Sequence, residues 1–364
     1  MGKDALLGKK VFFDARYIRV GHHDGISRFS AGLFAALSKI TPVVAIICDD
    51  RQLAHLPAKT EHVKLSDPTN GLAELFIARK LNALGADIVF SPMQTMGAWF
   101  RKYKLVLTLH DLIYYNHPTP PPSFSVAIRL GWRLFHLFYW PQRLILNQAD
   151  AIVTVSETTK SLMLKHRLTK RPITVVHNAA TGEPAALARK EHNRDLIYMG
   201  SYMDYKNVEC LVFALQELSG FQLHLLSKIG DQRKTELVKL AGGAANRIHF
   251  HNGVSDDEYR SLLDNAFALV SASREEGFGI PVIEAMGRGT PAIVSDIEIF
   301  REVGGEAACY FNPDEPGELA ARVHELENAE AWLKASSDAL AQAGKFNWER
   351  SAEELYLLLK DLGS

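Results

Sequence analysis

The sequence is poor in cysteine, lacks long apolar runs and carries almost no net charge, and each deficit argues against a class of protein. Its three cysteines are far apart in the chain, which disfavours a disulfide framework and a thiolate metal site. No uncharged apolar stretch approaches the roughly 18 residues of a transmembrane helix, and Leu6-Leu7 is too short for the core of a signal peptide. With 41 Lys and Arg against 42 Asp and Glu, the net charge of -1 gives no general attraction for nucleic acid. We therefore expect a cytoplasmic protein that does not bind nucleic acid.

The chain is rich instead in short apolar runs that alternate with longer amphipathic stretches. Nearly continuous apolar runs predict strands buried on both faces, as in parallel sheets covered by helices. The first set of predicted strands covers residues 11–14, 43–48, 87–91, 104–110, 151–156 and 173–177. The second set covers residues 195–199, 221–226, 247–251, 267–271 and 291–295. Repeated strand–helix alternation predicts an α/β fold built from two doubly wound, Rossmann-like domains.

The stretch between the two sets, residues 179–194, is polar and contains Gly182 and Pro184. This composition is typical of an interdomain linker, so we place the domain boundary between residues 182 and 183. Each domain would bind ligand at the carboxyl ends of its strands, and the two facing edges would then form one cleft.

The segment with the strongest chemical pattern reads SREEGFGIPVIE, at residues 273–284, directly after a predicted strand. Glycines at a strand-to-helix turn let the backbone approach a ligand closely, and a helix N-terminus offers free N–H groups to an anion. Pro281 marks the first turn of that helix. Glu276 and Glu284 could hold hydroxyl groups on either side of the anion. A nucleotide sugar has this layout of sugar hydroxyls, diphosphate and ribose hydroxyls.

These residues resemble the Glu-x7-Glu motif of family 4 of the retaining glycosyltransferases, which have the GT-B fold. Further segments resemble that family in the same order along almost the whole chain; they are residues 24–28, 108–112, 153–156, 175–178, 198–207 and 346–349. The resemblance implies an acceptor-binding domain at residues 1–182, completed by a C-terminal helix at 347–364 that crosses back to it. It implies a donor-binding domain at residues 183–346.

The resemblance also implies roles for individual residues. Glu276 would contact the transferred sugar, Lys206 the diphosphate and His110 the sugar in the transition state. Glu284 would bind the donor ribose. The full set of donor-binding residues that it implies is Gly25, Gly200, Ser201, Lys206, Asn207, Gly277, Phe278, Gly279, Ile280 and Glu284.

Two positions depart from the family pattern. Many relatives carry Arg directly after the glycine of the second-domain turn, whereas this chain has Ser201, so the N–H group of Gly25 would carry more of the phosphate contact. Gly25 itself follows Asp24 where a second glycine is common.

The sequence predicts neither a metal ion nor a cofactor. No Asp-x-Asp triplet follows a predicted strand. The spacing of His22, His23 and His117 relative to His110 matches no zinc pattern. We therefore expect metal-independent transfer, and the resemblance implies retention of configuration.

Residues 110–118 and 200–207 look most like mannosyltransferase members that use GDP-mannose. UDP-linked glucose, galactose or N-acetylglucosamine remains the alternative donor class. A different kind of function would be a nucleotide-sugar-binding or scaffold protein without catalysis. A dehydrogenase is excluded, because no Gly-x-Gly-x-x-Gly turn follows the first predicted strand.

The segment RLGWRLFHLFYWPQR, at residues 129–143, mixes aromatic and basic residues. As one helix it would place Trp132, Phe135 and Tyr139 near one face. Two interpretations stay open: a helix that lies on an anionic membrane surface, or one that packs on the sheet with solvated arginines. The expected partners are a nucleotide-sugar donor and a glycan or lipid-linked acceptor, with peripheral contact at the inner face of a membrane under the first interpretation.

Overall fold

The computed structural model describes residues 6, 8–21, 24–120, 125–180 and 192–364. The chain divides into two compact units. The first comprises the chain up to Ala179 together with Asn347–Ser364, and the second comprises Ala180–Phe346. Most of the predicted linker, including the boundary between residues 182 and 183, lies outside the described residues, as do His22 and His23.

Within the described residues, the first unit contains a seven-stranded parallel sheet. Its strands are β1 (Val11–Asp14), β2 (Val44–Ile47), β3 (His62–Lys64), β4 (Ile88–Ser91), β5 (Lys104–Leu109), β6 (Ala151–Thr154) and β7 (Ile173–Val175). Their spatial order is β3-β2-β1-β4-β5-β6-β7. The chain therefore runs outward from β1 in both directions, which is the doubly wound topology. The helices of this part of the chain are α1 (Gly25–Ile40), α2 (Gly71–Leu75), α3 (Ile77–Ala83), α4 (Ile113–Asn116), α5 (Val126–His136), α6 (Trp140–Leu146) and α7 (Glu157–Lys165).

The second unit repeats this plan with six parallel strands among its described residues. They are β8 (Asp195–Tyr198), β9 (Gln222–Leu225), β10 (Ile248–Phe250), β11 (Ala268–Ser271), β12 (Ala292–Ser295) and β13 (Cys309–Phe311), in the order β10-β9-β8-β11-β12-β13. Its helices are α8 (Val208–Glu217), α9 (Asp231–Ala241), α10 (Asp256–Asn265), α11 (Ile280–Gly287), α12 (Glu298–Gly304), α13 (Pro316–Leu326) and α14 (Ala329–Ala343).

The α/β fold class with two Rossmann-like units is confirmed, and each predicted strand is present within one or two residues at either end. The sequence analysis missed β3 and β13. Both are three-residue strands at the edge of a sheet; β3 has partly buried or exposed side chains, whereas β13 buries Phe311. β3 has polar residues at both ends and lacks an apolar run, whereas the apolar residues 307–311 around β13 gave a signal that the sequence analysis did not use.

The last helix, α15 (Trp348–Gly363), belongs to the first unit and packs against α1. The close approach depends on Gly32 in α1. A Cβ atom at that position would lie 2.3 Å from Cε2 of the Trp348 indole, well inside van der Waals contact. A glycine on one helix and the indole on the other therefore fix how α15 docks on its own unit.

The prediction of a single helix over residues 129–143 is wrong. The segment forms α5 and α6, separated at residues 137–139, and Pro141 lies in the first turn of α6, where its missing N–H group is tolerated. The aromatic face does not point to solvent. Trp132 packs against Tyr114 with ring centroids 4.9 Å apart, and Tyr139 stacks on His166 at 4.4 Å.

Candidate active site

Two loops of the second unit meet at the carboxyl edge of its sheet. Residues 199–207 follow β8 and residues 272–279 follow β11, and β8 and β11 are parallel neighbours. The N–H group of Arg274 donates to the carbonyl oxygen of Tyr205 at 2.7 Å, which ties the two loops together. This edge is where open α/β sheets bind their ligands.

Lys206 and Glu276 form an ion pair between these loops. The Lys206 Nζ atom lies 2.5 Å from Oε1 of Glu276, and the two side chains are only 14% and 15% exposed. Because the surroundings are mostly protein, the attraction is screened less than that of a surface pair. The structure thus places a cation and a carboxylate, both predicted as site residues, in direct contact.

Ser273 holds the Glu276 carboxylate from the sheet side. Its hydroxyl group donates to the same Oε1 atom at 2.9 Å. The carbonyl oxygen of Ser273 in turn accepts a hydrogen bond from the hydroxyl of Ser295, at the end of β12. Sequence reasoning gave Ser273 no role, and only its place at a strand end could have drawn attention to it.

The turn after β8 is organised by Tyr198. Burial and, secondarily, the negative charge of Glu276 raise the pKa of the Tyr198 phenol well above its ordinary value. The phenol therefore keeps its proton and donates to the carbonyl oxygen of Ser201 at 2.6 Å. The N–H group of Gly200 donates to the hydroxyl of Ser227 at 3.2 Å. These two hydrogen bonds hold the predicted donor-binding turn in place, and the Ser201 side chain is exposed.

Asn207 ends this turn in the left-handed region, at φ 51°, ψ 43°. Asparagine adopts this conformation more readily than most residues. Its side-chain amide donates to the carbonyl oxygen of Pro313 at 2.7 Å. The amide nitrogen therefore anchors the turn to the protein, directly beside Lys206.

The predicted strand-to-helix turn at Gly277, Phe278, Gly279 and Ile280 leads into α11. Gly279 is the N-cap residue at φ 87°, where an added Cβ atom would lie 2.7 Å from the Phe300 ring. A glycine is required on both counts. The Phe278 side chain is buried against the Phe346 ring, which fixes the backbone just before the helix.

Glu284 lies within α11 and is only 6% exposed. Glutamate is seldom buried to this degree without a partner. The structure places it in the helix whose N-terminus follows the Glu276 loop.

His110, in the first unit, lies directly after β5. Its Nε2–H group donates to the carbonyl oxygen of Pro92 at 2.7 Å, and its ring meets the edge of Phe29. Burial lowers the pKa of His110, although the bond to Pro92 opposes this shift. The ring is therefore neutral at pH 7, and Nδ1 is the nitrogen with a lone pair. Asp111 accepts from the N–H group of Ile113 at 3.1 Å, as expected for a turn cap.

His110 lines a cavity of about 210 Å³ that the sequence did not predict. The side of α5 that faces the protein contributes His136, and residues on α1, β5, α4, α6 and the loops after β4 and β5 complete the wall. The aromatic and amide side chains among them are Tyr114, Tyr115, His136, Gln94 and Gln142. This lining combines flat apolar surfaces with a few polar groups, as small-molecule sites commonly do.

Gly25 is the first residue of α1, and Asp24 is its N-cap. The Asp24 carboxylate accepts from the N–H group of Ser27 at 2.9 Å and pairs with Arg19. The aspartate that replaces a second glycine therefore caps the helix.

A buried ionic network lies at the carboxyl end of β1, and sequence reasoning missed it. Arg16 pairs with Asp14 and with Glu74, each at 2.7 Å, and the Arg16 and Asp14 side chains are fully buried. These carboxylates, against the opposing effect of burial, raise the pKa of the Arg16 guanidinium. Gln52 donates to the carbonyl oxygens of Arg16 and Ile18, so the chain leaving β1 is fixed before it reaches α1.

Among the described residues, no group of three or more His, Cys, Asp or Glu side chains is arranged to hold a metal ion. Over the same residues, no helix has the length and apolar character needed to cross a bilayer.

Two Rossmann-like units, with a final helix that returns to the first, define the GT-B class of glycosyltransferase. The sequence model described as Glycosyltransferase Family 4 matches residues 24–180, and the one described as Glycosyl transferases group 1 matches residues 193–328. The chain therefore belongs to this glycosyltransferase family, as the sequence resemblance predicted.

Individual relatives agree with this assignment. An O-antigen chain mannosyltransferase of Salmonella typhimurium is 27% identical over 61% of this chain and 60% of its own length. The GDP-mannose:cellobiosyl-diphosphopolyprenol alpha-mannosyltransferase of Komagataeibacter xylinus is 27% identical over 53% of this chain and 51% of its own. In both cases the chain spans less than two thirds of the relative. Sucrose-phosphate synthase from Thermosynechococcus elongatus shares the fold with a TM-score of 0.73, at 17% identity over 97% of this chain and 99% of its own.

Proposed function

We propose that this chain is a retaining mannosyltransferase that takes mannose from GDP-mannose, passes it to a glycan or lipid-linked acceptor and needs no bound metal ion. The Lys206–Glu276 pair carries the proposal, because it brings a cation and a carboxylate together where two neighbouring parallel strands end. A nucleotide sugar is the ligand whose diphosphate and hydroxyl groups match these two charges.

A donor would separate the pair and use both groups. Its diphosphate would draw the Lys206 ammonium, and the hydroxyl groups of its sugar would donate to the Glu276 carboxylate. Such charge-assisted hydrogen bonds are roughly twice as strong as neutral ones. The Ser273 hydroxyl, 2.9 Å from Oε1, would keep the carboxylate in place during the exchange.

The remaining donor contacts are assigned by the family resemblance and by the position of α11. Gly277, Phe278, Gly279 and Ile280 would offer N–H groups at the N-terminus of α11, where an anion is favoured. Glu284 would bind the ribose hydroxyls. Gly200, Ser201 and Asn207 would shape the diphosphate turn, and the N–H group of Gly25 would add a phosphate contact.

The transfer step breaks the bond between the sugar C1 atom and the phosphate oxygen and forms a bond from C1 to the acceptor hydroxyl oxygen on the same face. The hydroxyl proton passes to the departing phosphate, which serves as the base. Lys206 stabilises the negative charge that develops on the diphosphate, so a metal ion is not needed for that purpose. We assign His110 to the transferred sugar, with its neutral Nδ1 atom as an acceptor for a hydroxyl proton.

The choice of donor and acceptor rests on the relatives. Two curated relatives are named mannosyltransferases, and the Komagataeibacter enzyme is named for GDP-mannose and a diphosphopolyprenol acceptor. A UDP-sugar is the alternative donor within the same site. We locate the protein in the cytoplasm, at the inner face of a membrane when the acceptor is lipid-linked.

The test is donor binding and hydrolysis with GDP-mannose and a panel of UDP-sugars, with and without EDTA, on the wild type and on Glu276→Gln. We expect saturable binding of GDP-mannose and turnover that is insensitive to EDTA and lost in the variant. Binding of a UDP-sugar alone would replace the donor assignment. Absence of binding to every nucleotide sugar would favour a scaffold protein.

A further inference from the structure

The outer face of α5 is apolar although it is exposed. Its exposed side chains recur at helical spacing and therefore lie on one stripe. On α5 they are Val126, Leu130 and Leu134, each more than half exposed. Leu137 and Phe138, directly after α5, and Trp140 and Leu144, four residues apart on α6, are also more than half exposed. Exposed apolar side chains in this number mark an interaction site, and we call these seven side chains the α5–α6 face.

The sequence around the α5–α6 face carries charges of one sign. The chain has no Asp or Glu from residue 112 to residue 149 and none from residue 158 to residue 180. Arg133 and Arg143 are exposed on α5 and α6. Arg143 donates to the carbonyl oxygens of His166 and Arg167, which brings a second basic segment alongside. The exposed cations of that segment are Lys165, Arg167, Lys170 and Arg171.

An apolar stripe rimmed by cations fits a surface that is apolar inside and negatively charged at its boundary. An anionic lipid bilayer has this structure, and amphipathic helices with Leu, Phe and Trp on one side and Arg at the edge bind it. A second copy of the chain fits less well. In a twofold dimer built on this face, the basic side chains of the two copies would face each other.

We propose that the α5–α6 face docks on an anionic lipid bilayer and that the acceptor is anchored in the same bilayer. α5 links the two parts of this proposal, because its outer side carries the stripe and its inner side contributes His136 to the cavity beside His110. The proposed docking depends only on the exposed residues of the α5–α6 face and not on the transfer function. Only the nature of the acceptor rests on the proposed transfer function.

The experiment is flotation of the full chain with vesicles of phosphatidylcholine, with and without phosphatidylglycerol. It requires neither donor nor turnover, so its result is independent of the proposed function. We expect binding to the anionic vesicles that weakens at high salt. Leu130→Gln/Leu134→Gln should weaken binding about tenfold or more, since two apolar side chains leave the interface. Arg133→Gln/Lys170→Gln should weaken it by about tenfold on anionic vesicles only.

Matched controls are Leu357→Gln and Arg350→Gln, two exposed positions of α15, and both should bind as the wild type does. Circular dichroism of every variant checks that the fold is intact. The proposal is overturned by a wild type that floats with neither kind of vesicle, or by leucine variants that float as the wild type does. A dimer that the leucine variants dissociate, without vesicle binding, would assign the face to a second copy of the chain.

Discussion

The ammonium group of Lys206 contacts the carboxylate of Glu276 at 2.5 Å, although 70 residues separate them in the chain. The contact arises because β8 and β11 are adjacent in the sheet and both loops leave it at the carboxyl edge. Because the two side chains contact each other, substituting either one tests the role of the pair.

Glu276→Gln should lower the transfer rate about 10²-fold or more, because it removes the carboxylate charge that we propose contacts the reacting sugar. The circular dichroism spectrum should be unchanged, since glutamine has nearly the same size. Steady-state transfer with the preferred donor measures the effect. Glu330→Gln, an exposed position on α14, is the control and should retain full activity. Near-normal turnover in the Glu276 variant would remove that residue from the reaction.

His110 should make stability depend on pH. Burial lowers its pKa in the folded chain below the ordinary value of about 6.5. As the pH falls below about 6.5, the unfolded chain takes up a proton at this histidine before the folded chain does, so the free energy of unfolding decreases. His110→Gln removes this contribution and keeps a donor for the Pro92 carbonyl. Urea unfolding at pH 5 to 7 should therefore show a shallower decline in the variant, and parallel curves would contradict the assignment.

Gly32→Ala and Gly131→Ala should change stability in opposite directions. At Gly32 the new Cβ atom would meet the Trp348 indole at 2.3 Å, and such overpacking costs about 1–3 kcal/mol. At Gly131, in α5, no atom lies within 4 Å, so alanine should stabilise by about 0.5–1 kcal/mol through helix propensity. Thermal unfolding of the two variants beside the wild type is the measurement. A stabilised Gly32 variant would show that α15 docks differently.

Asp14→Asn should destabilise the protein by about 3–5 kcal/mol, because it leaves the buried Arg16 guanidinium with an incomplete set of carboxylates. Asp50→Asn breaks an exposed pair with Lys64 and is the reference substitution, for which we expect no measurable change. Chemical denaturation compares the two variants. A loss no larger than that of the reference would mean that the network adds little to stability.

Much of the donor half of the candidate site could be predicted because its signals are local. Gly279 and Pro281 mark a strand-to-helix turn in any α/β unit, and the glutamates on either side have a fixed spacing along the chain. Ser273 and Tyr198 could not be assigned in this way. Each donates a hydrogen bond to a residue three positions further along the chain, Glu276 and Ser201, and these bonds depend on the backbone conformation of the two loops, which no residue pattern specifies.

The cavity beside His110 shows the same limit. Its wall joins the loop after β4 to α4, α5 and α6, and no periodicity in the sequence relates these segments. Glu74 likewise reaches Arg16 across 58 positions of the chain. Neither arrangement leaves a pattern that a single sequence would reveal.

The sequence by itself determined the central strands, the two-unit plan and the family, because continuous apolar runs and glycine turns act over a few neighbouring residues. Only the tertiary structure decided the edge strand β3, the contact between Lys206 and Glu276, and the orientation of α5. That helix carries apolar residues around most of its circumference, so its pattern allows either side to face the protein. Packing of Trp132 on Tyr114 settles the choice and leaves Leu130 and Leu134 on the outside, because a helix can bury only one face against its unit.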